Sequence, residues 1–83
     1  MAFWTYILHC NAGIFYTGHT DNLERRIAQH RRGEVNGFTK SYLPVELVWS
    51  EEFGSREEAL ISERQIKGWS RKKKLALIQG VGA

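Results

Sequence analysis

Phe3-Trp4-Thr5-Tyr6-Ile7-Leu8-His9-Cys10 runs into Asn11-Ala12-Gly13, and Ile14-Phe15-Tyr16-Thr17-Gly18 follows. The first run is apolar and rich in aromatic and β-branched residues, the types that fit a pleated, half-buried surface. The break holds Gly13, which takes positive φ without a Cβ penalty. The second run is β-prone again. The pattern predicts an antiparallel hairpin. Both runs are apolar on both faces, which predicts burial at the centre of a sheet.

Beyond the hairpin the punctuation changes to that of helices. Asp21-Asn22-Leu23-Glu24 is a start signal, with Asp21 placed to cap and Glu24 to reach back. The helix is expected to run to about Arg32 and to stop at Gly33. A polar loop from Gly33 to Pro44 carries Phe38 and Tyr42. Val45 to Phe53 alternates loosely and predicts a third strand. Ser55-Arg56-Glu57-Glu58 is a second capping box and opens a helix to about Lys67. Gly68 breaks it, Ser70 caps a last helix, and Gly80 ends that one. The order β-β-α-β-α-α predicts an α+β domain, a three-stranded antiparallel-type sheet flanked by helices. Residues 1–83 are expected to form this one domain, since the length suits one core and the 42% hydrophobic content is that of a globular chain.

Composition excludes several classes. A lone cysteine, Cys10, rules out an internal disulfide framework and a cysteine-based zinc site. A reducing compartment, the cytoplasm, is the expected location. No apolar run approaches the roughly 20 residues of a membrane span. The start lacks a basic stretch leading into an apolar one, so no signal peptide is expected and Met1 reads as the start.

The net charge is +3, from 12 basic and 9 acidic residues, but the distribution says more than the sum. Arg25, Arg26, Arg31 and Arg32 form one cluster, and Lys67, Arg71, Lys72, Lys73 and Lys74 another. Glu51, Glu52, Glu57 and Glu58 gather elsewhere. Such segregation suits a polyanion on one side of the molecule, although two solvated helix faces give the same pattern.

Some polar residues interrupt apolar stripes. On the second predicted helix Glu63 projects among Ala59, Leu60 and Ile66, at about 100° per residue. A carboxylate there needs a partner. An ion pair or a helix edge is the plain explanation; a metal ligand or a catalytic acid at a cleft is the functional one. On the first helix His30 falls on the stripe of Leu23 and Ile27, with Arg26 one turn before it. The hairpin contributes Tyr6 and Tyr16, which structurally are core rings with hydroxyls at the edge. A carboxylate for a metal, a proton acceptor and a cation for developing charge are together what phosphodiester hydrolysis requires.

The spacing of these residues resembles the GIY-YIG nuclease superfamily, and most of all its small single-domain bacterial members. Trp4-Thr5-Tyr6-Ile7-Leu8 stands at the first tyrosine motif and Tyr16-Thr17-Gly18 at the second. Asn22 to His30 is similar to the helix that carries the family's arginine and often a histidine. Ala59-Leu60-Ile61-Ser62-Glu63 is similar to the segment with the metal-binding glutamate. The likeness spans roughly Trp4 to Ile78. Trp4-Thr5 replaces Gly-Ile, Thr17 replaces a common Ile, and His19 stands where some relatives carry Lys. No Asn follows Asn36, whereas many relatives carry one after the glutamate.

The resemblance implies a metal-dependent endonuclease with catalytic Tyr6, Tyr16, Arg26, His30 and Glu63. One Mg²⁺ or Mn²⁺ is expected on Glu63. Tyr6 is the expected general base with Tyr16 as the alternative, His30 is expected to bond a tyrosyl hydroxyl, Tyr16 before Tyr6, and Arg26 to meet charge on the phosphoryl oxygens. His19, Arg25, Arg31, Arg32, Lys40, Lys72, Lys73 and Lys74 are expected to contact nucleic acid, DNA before RNA. With no added DNA-binding domain, structure-selective rather than sequence-selective cutting is expected. No small-molecule cofactor and no membrane partner are expected. The rival readings are a nucleic-acid-binding module of the same fold with little or no catalysis, using Phe38 and Tyr42 to stack on bases, and a protein-interaction domain.

Overall fold

A computed structural model describes residues 2–35 and 38–80. Strands β1 (Phe3–Cys10), β2 (Ile14–Thr20) and β3 (Val45–Phe53) and helices α1 (Leu23–Arg31), α2 (Arg56–Lys67) and α3 (Arg71–Gln79) follow one another in the expected order β-β-α-β-α-α. All pairing is antiparallel, and the sheet order is β2-β1-β3. Only β1 is central. The expectation that both hairpin strands lie at the sheet centre is therefore corrected: β2 is an edge strand, and helix packing rather than a further strand covers its apolar residues. β2 also extends two residues past Gly18, to Thr20. In the hairpin turn Ala12 joins Gly13 at positive φ, 67° and 72°.

Successive strand residues face opposite sides of a sheet, and β1 makes two different interfaces. Tyr6, Leu8 and Cys10 join Ile27 of α1 and Val45 of β3 in one buried cluster. Thr5, on the other face, donates its hydroxyl to the Ala59 carbonyl of α2 at 2.7 Å. Thus α1 covers one face and α2 the other. Tyr42 packs half-buried against the first cluster, alongside Leu43 and Leu47. That corrects its expected role as an exposed stacking ring. The side chain of Phe38, the other stacking candidate, lies outside the described residues.

The helices start on side-chain caps. Asn22, not Asp21, caps α1, its Oδ1 accepting from the Arg25 amide at 3.1 Å. Asp21 instead faces the guanidinium groups of Arg25 and Arg56, at 4.0 and 3.7 Å. Ser55 Oγ accepts from the Glu58 amide and donates to its carboxylate, at 3.2 and 3.1 Å. Ser70 caps α3 by accepting from the Lys73 amide at 3.2 Å. Arg71 fastens α3 to the hairpin. Its guanidinium donates to the Gly13 carbonyl at 2.5 Å and lies 4.6 Å over the Phe15 ring. Phe15 shares the α2 face of β2, so α2 and α3 form one layer and α1 the other.

Candidate active site

Tyr6 leans from the central strand over its register partner Gly18. A Cβ built on Gly18 would stand 2.6 Å from the Tyr6 hydroxyl and 2.8 Å from Cζ, so this position has to be side-chain-free for the ring to lie where it does. From there the hydroxyl reaches α1 and lies 2.9 Å from His30 Nε2. His30 Nδ1 is 2.7 Å from Thr39 Oγ1 in the 3₁₀ turn of residues Phe38–Tyr42. Three segments distant in sequence are thus joined through one fully buried imidazole. The Tyr16 ring packs beside both, with centroids 6.4 Å from Tyr6 and 5.4 Å from His30. His30 thus has the tyrosyl partner expected of it, but that partner is Tyr6, which corrects the preference for Tyr16.

The electrostatics follow from burial. Burial pushes the Tyr6 phenol well above its ordinary range, Tyr16 and Glu63 push the same way, and only Arg26 works against them. Burial and the Arg26 charge lower His30 to about 4. At neutral pH the pair is a phenol and a neutral imidazole. If the phenol donates to Nε2, the Nδ1 proton is the one given to Thr39. The expected stabilised phenolate is not the resting form, because Arg26 does not overcome burial.

Glu63 forms a second group on the α2 face. Its side chain is buried, 11% exposed, yet each carboxylate oxygen is engaged. His19 Nδ1 lies 2.5 Å from Oε1, and Lys67 Nζ 2.7 Å from Oε2. Burial alone would raise this carboxyl, but the hydrogen bonds and charges of Lys67 and His19 outweigh it and hold the group below its ordinary value. The two groups approach each other across the β2 edge, where Gly18 adjoins His19, and the Glu63 charge is felt at Tyr6. Among the described residues no three His, Cys, Asp or Glu side chains gather to hold a metal. A metal at Glu63 would have one protein carboxylate.

The basic residues divide between the layers. Arg25, Arg31 and Arg32 belong to α1 or its C-cap, Lys40 to the 3₁₀ turn, and Lys72, Lys73 and Lys74 to α3. Charge segregation suggested one basic side; the structure has one cluster per sheet face. Arg32 is already paired with Glu34, at 2.5 and 3.2 Å, and the Lys73 ammonium sits 4.3 Å over Trp69. Arg25, Arg31, Lys40 and Lys72 are exposed and Lys74 half-buried.

Sequence reasoning missed Thr39 and Lys67 as site residues. Lys67 had a signal, since it stands one helical turn after Glu63 and i,i+4 residues are neighbours. Thr39 had none, being one polar residue in a polar loop.

A family model described as the GIY-YIG catalytic domain matches residues 2–76. The chain belongs to the GIY-YIG family. A UPF0213 protein of Staphylococcus saprophyticus is 44% identical over 75 residues, covering 90% of this chain and 92% of that protein. The solution structure of a UPF0213 protein from Bacillus halodurans superposes with a TM-score of 0.62 at 39% identity, over 95% of this chain and 84% of the other. An E. faecalis protein solved in solution gives 0.64 at 32% identity, over 96% and 85%. In this GIY-YIG chain the first tyrosine motif is central strand, the second is edge strand, and the arginine and histidine share one helix. No helix among the described residues is long and apolar enough to cross a membrane.

Proposed function

We propose that this GIY-YIG chain is an endonuclease that hydrolyses phosphodiester bonds in DNA. It selects structure rather than sequence and works with one Mg²⁺ or Mn²⁺ at Glu63. The observation that carries the reading is the Tyr6–His30–Thr39 chain, with a neutral imidazole behind a phenol. Such a chain moves a proton without forming a free phenolate. As water attacks phosphorus its proton passes to the Tyr6 oxygen, and the Tyr6 proton passes to His30 Nε2. Nδ1–H remains on Thr39, which fixes the ring. Arg26 meets the charge building on the phosphoryl oxygens with its planar fork. A phosphate beside Arg26 also offsets the positive charge that helps hold His30 low, so substrate makes the imidazole a better acceptor.

The Glu63 carboxylate suits a hard divalent ion, which prefers oxygen ligands, with water and substrate phosphate completing the shell. Bound there, the ion would supply positive charge to the phosphoryl and leaving oxygens.

The test is cleavage of branched, single-stranded and duplex DNA, and of RNA, with Mg²⁺, Mn²⁺ or chelator. Branched DNA should be cut, only with metal. Tyr6→Phe should still bind DNA while cleavage falls about 10²-fold or more, the scale of a lost proton-transfer group. Wild-type rates in Glu63→Ala, or full activity in chelator, would overturn the metal role. Normal cutting by Tyr6→Phe but not by Tyr16→Phe would exchange the tyrosines' roles.

One observation favours the second reading, a binding module with little or no catalysis. Both Glu63 oxygens are already engaged, by His19 and Lys67. DNA binding with no cutting of any substrate would select it.

A further inference from the structure

We infer that Lys67 is a positioning residue: it holds Glu63 while no nucleic acid is present and turns to the substrate phosphate when a divalent ion takes the carboxylate. Ion and nucleic acid then bind cooperatively. The inference rests on the proposed metal role of Glu63 and adds a residue and a coupling to it.

The geometry distinguishes the two partners of the carboxylate. His19 is an imidazole on strand β2, with a side chain 26% exposed. Lys67 is 53% exposed, whereas Glu63 is 11% exposed. A lysine head on a four-carbon stem moves at little cost, while a ring on a strand and a carboxylate inside a helix interface do not. When an ion needs a Glu63 oxygen, Lys67 is therefore the partner that leaves. It cannot stay close, because its ammonium and the ion carry like charge. The nearest new anion is the phosphate that the ion itself holds, within reach of a side chain anchored one helical turn from Glu63.

Two consequences follow. In the free protein the ion must displace an ion pair, so it binds weakly. With nucleic acid present the displaced ammonium gains a phosphate, so the ion binds more tightly, and by reciprocity it strengthens nucleic-acid binding by the same factor. A merely structural i,i+4 pair would add a little helix stability and leave the coupling to the phosphate's own bond to the ion, unchanged by substitution at Lys67.

The experiment measures Mn²⁺ binding by electron paramagnetic resonance, in a Tyr6→Phe background that leaves the nucleic acid intact. Each protein is titrated with and without a branched DNA oligonucleotide, corrected for Mn²⁺ held by the oligonucleotide alone. The parent should bind Mn²⁺ about tenfold more tightly with DNA, within the usual range of coupling. Lys67→Met should bind Mn²⁺ up to about fivefold more tightly without DNA, the worth of a lost ion pair, and should show weaker coupling than the parent, keeping only the share that comes from the phosphate's own bond to the ion. Lys67→Arg should retain it. Lys67→Gln, with the fold checked by circular dichroism, serves as a second neutral variant. Unchanged affinity and coupling in both neutral variants would overturn the inference and leave the metal role standing. Equal Mn²⁺ binding by Glu63→Gln would overturn the metal role itself, and the inference with it.

Discussion

Thr17 occupies a β2 position where its residue type is poorly matched to its surroundings. It is 3% exposed, and its hydroxyl is the buried side-chain atom that finds no hydrogen-bond partner among the described residues. An unsatisfied buried hydroxyl costs about 1–3 kcal/mol. Thr17→Val keeps the β-branched shape and removes the oxygen. It should stabilise the domain by about 1 kcal/mol, read as a higher urea midpoint at unchanged slope. A lower midpoint would mean that the hydroxyl has a partner after all. At this scale the sequence was only partly legible. Periodicity placed Tyr6, His30 and Glu63 correctly, since burial of an apolar stripe forces it. The preference for Tyr16 as the partner of His30 was wrong. That choice depends on Tyr6 leaning over Gly18, a lateral tilt that no spacing encodes.

The elements follow the sequence closely because their ends carry explicit chemistry. Ser55 and Ser70 stand one residue before their helices, and both caps form. Asp21 and Asn22 are adjacent and both suited to capping, so the sequence left the choice open to tertiary charge, and Arg25 and Arg56 draw Asp21 away. Helix α3 is exceptional in having Arg71, Lys72 and Lys73 in its first turn and no acidic residue there. Cations at a helix N-terminus oppose the macrodipole. Lys72→Glu should therefore stabilise the fold by about 0.3–1 kcal/mol and at the same time weaken DNA binding. Thermal unfolding and fluorescence anisotropy together check the pair of opposite signs. A stabilised variant with unweakened binding would remove Lys72 from the proposed interface.

Over the whole molecule, pH and salt report on the buried and the exposed charges separately. His30 falls from an ordinary 6.5 to about 4 on folding. Between those values the unfolded chain binds the proton and the folded chain does not. Stability is thus complete above about pH 6.5 and declines as the pH drops towards 4, by a total on the order of 3 kcal/mol. The depressed Glu63 carboxyl adds a further loss starting lower, as the pH falls below its ordinary 4.5. Urea unfolding between pH 7 and 4 should show the first decline, and His30→Gln should flatten it while lowering stability at pH 7. A wild-type curve that is level from pH 6.5 to 5 would contradict a buried neutral imidazole. The exposed cations answer to salt instead. Replacing Lys72, Lys73 and Lys74 together should weaken binding to all DNA sequences alike and reduce the salt slope by about 0.9 for each phosphate no longer neutralised. Neither sequence charge nor periodicity revealed that α1 and α3 lie on opposite faces. Which face a helix covers is set by strand alternation in β1, visible only once the sheet order is known.

The clearance at Gly18 has a consequence for how such chains are interpreted across descent. Removing the Tyr6 oxygen would not free the position, because ring carbon Cζ would still stand 2.8 Å from any Cβ there. A descendant that had exchanged this tyrosine for phenylalanine would remain bound to glycine at position 18. The glycine of the second motif stands there on behalf of a ring, so its presence testifies to packing and is silent about the oxygen.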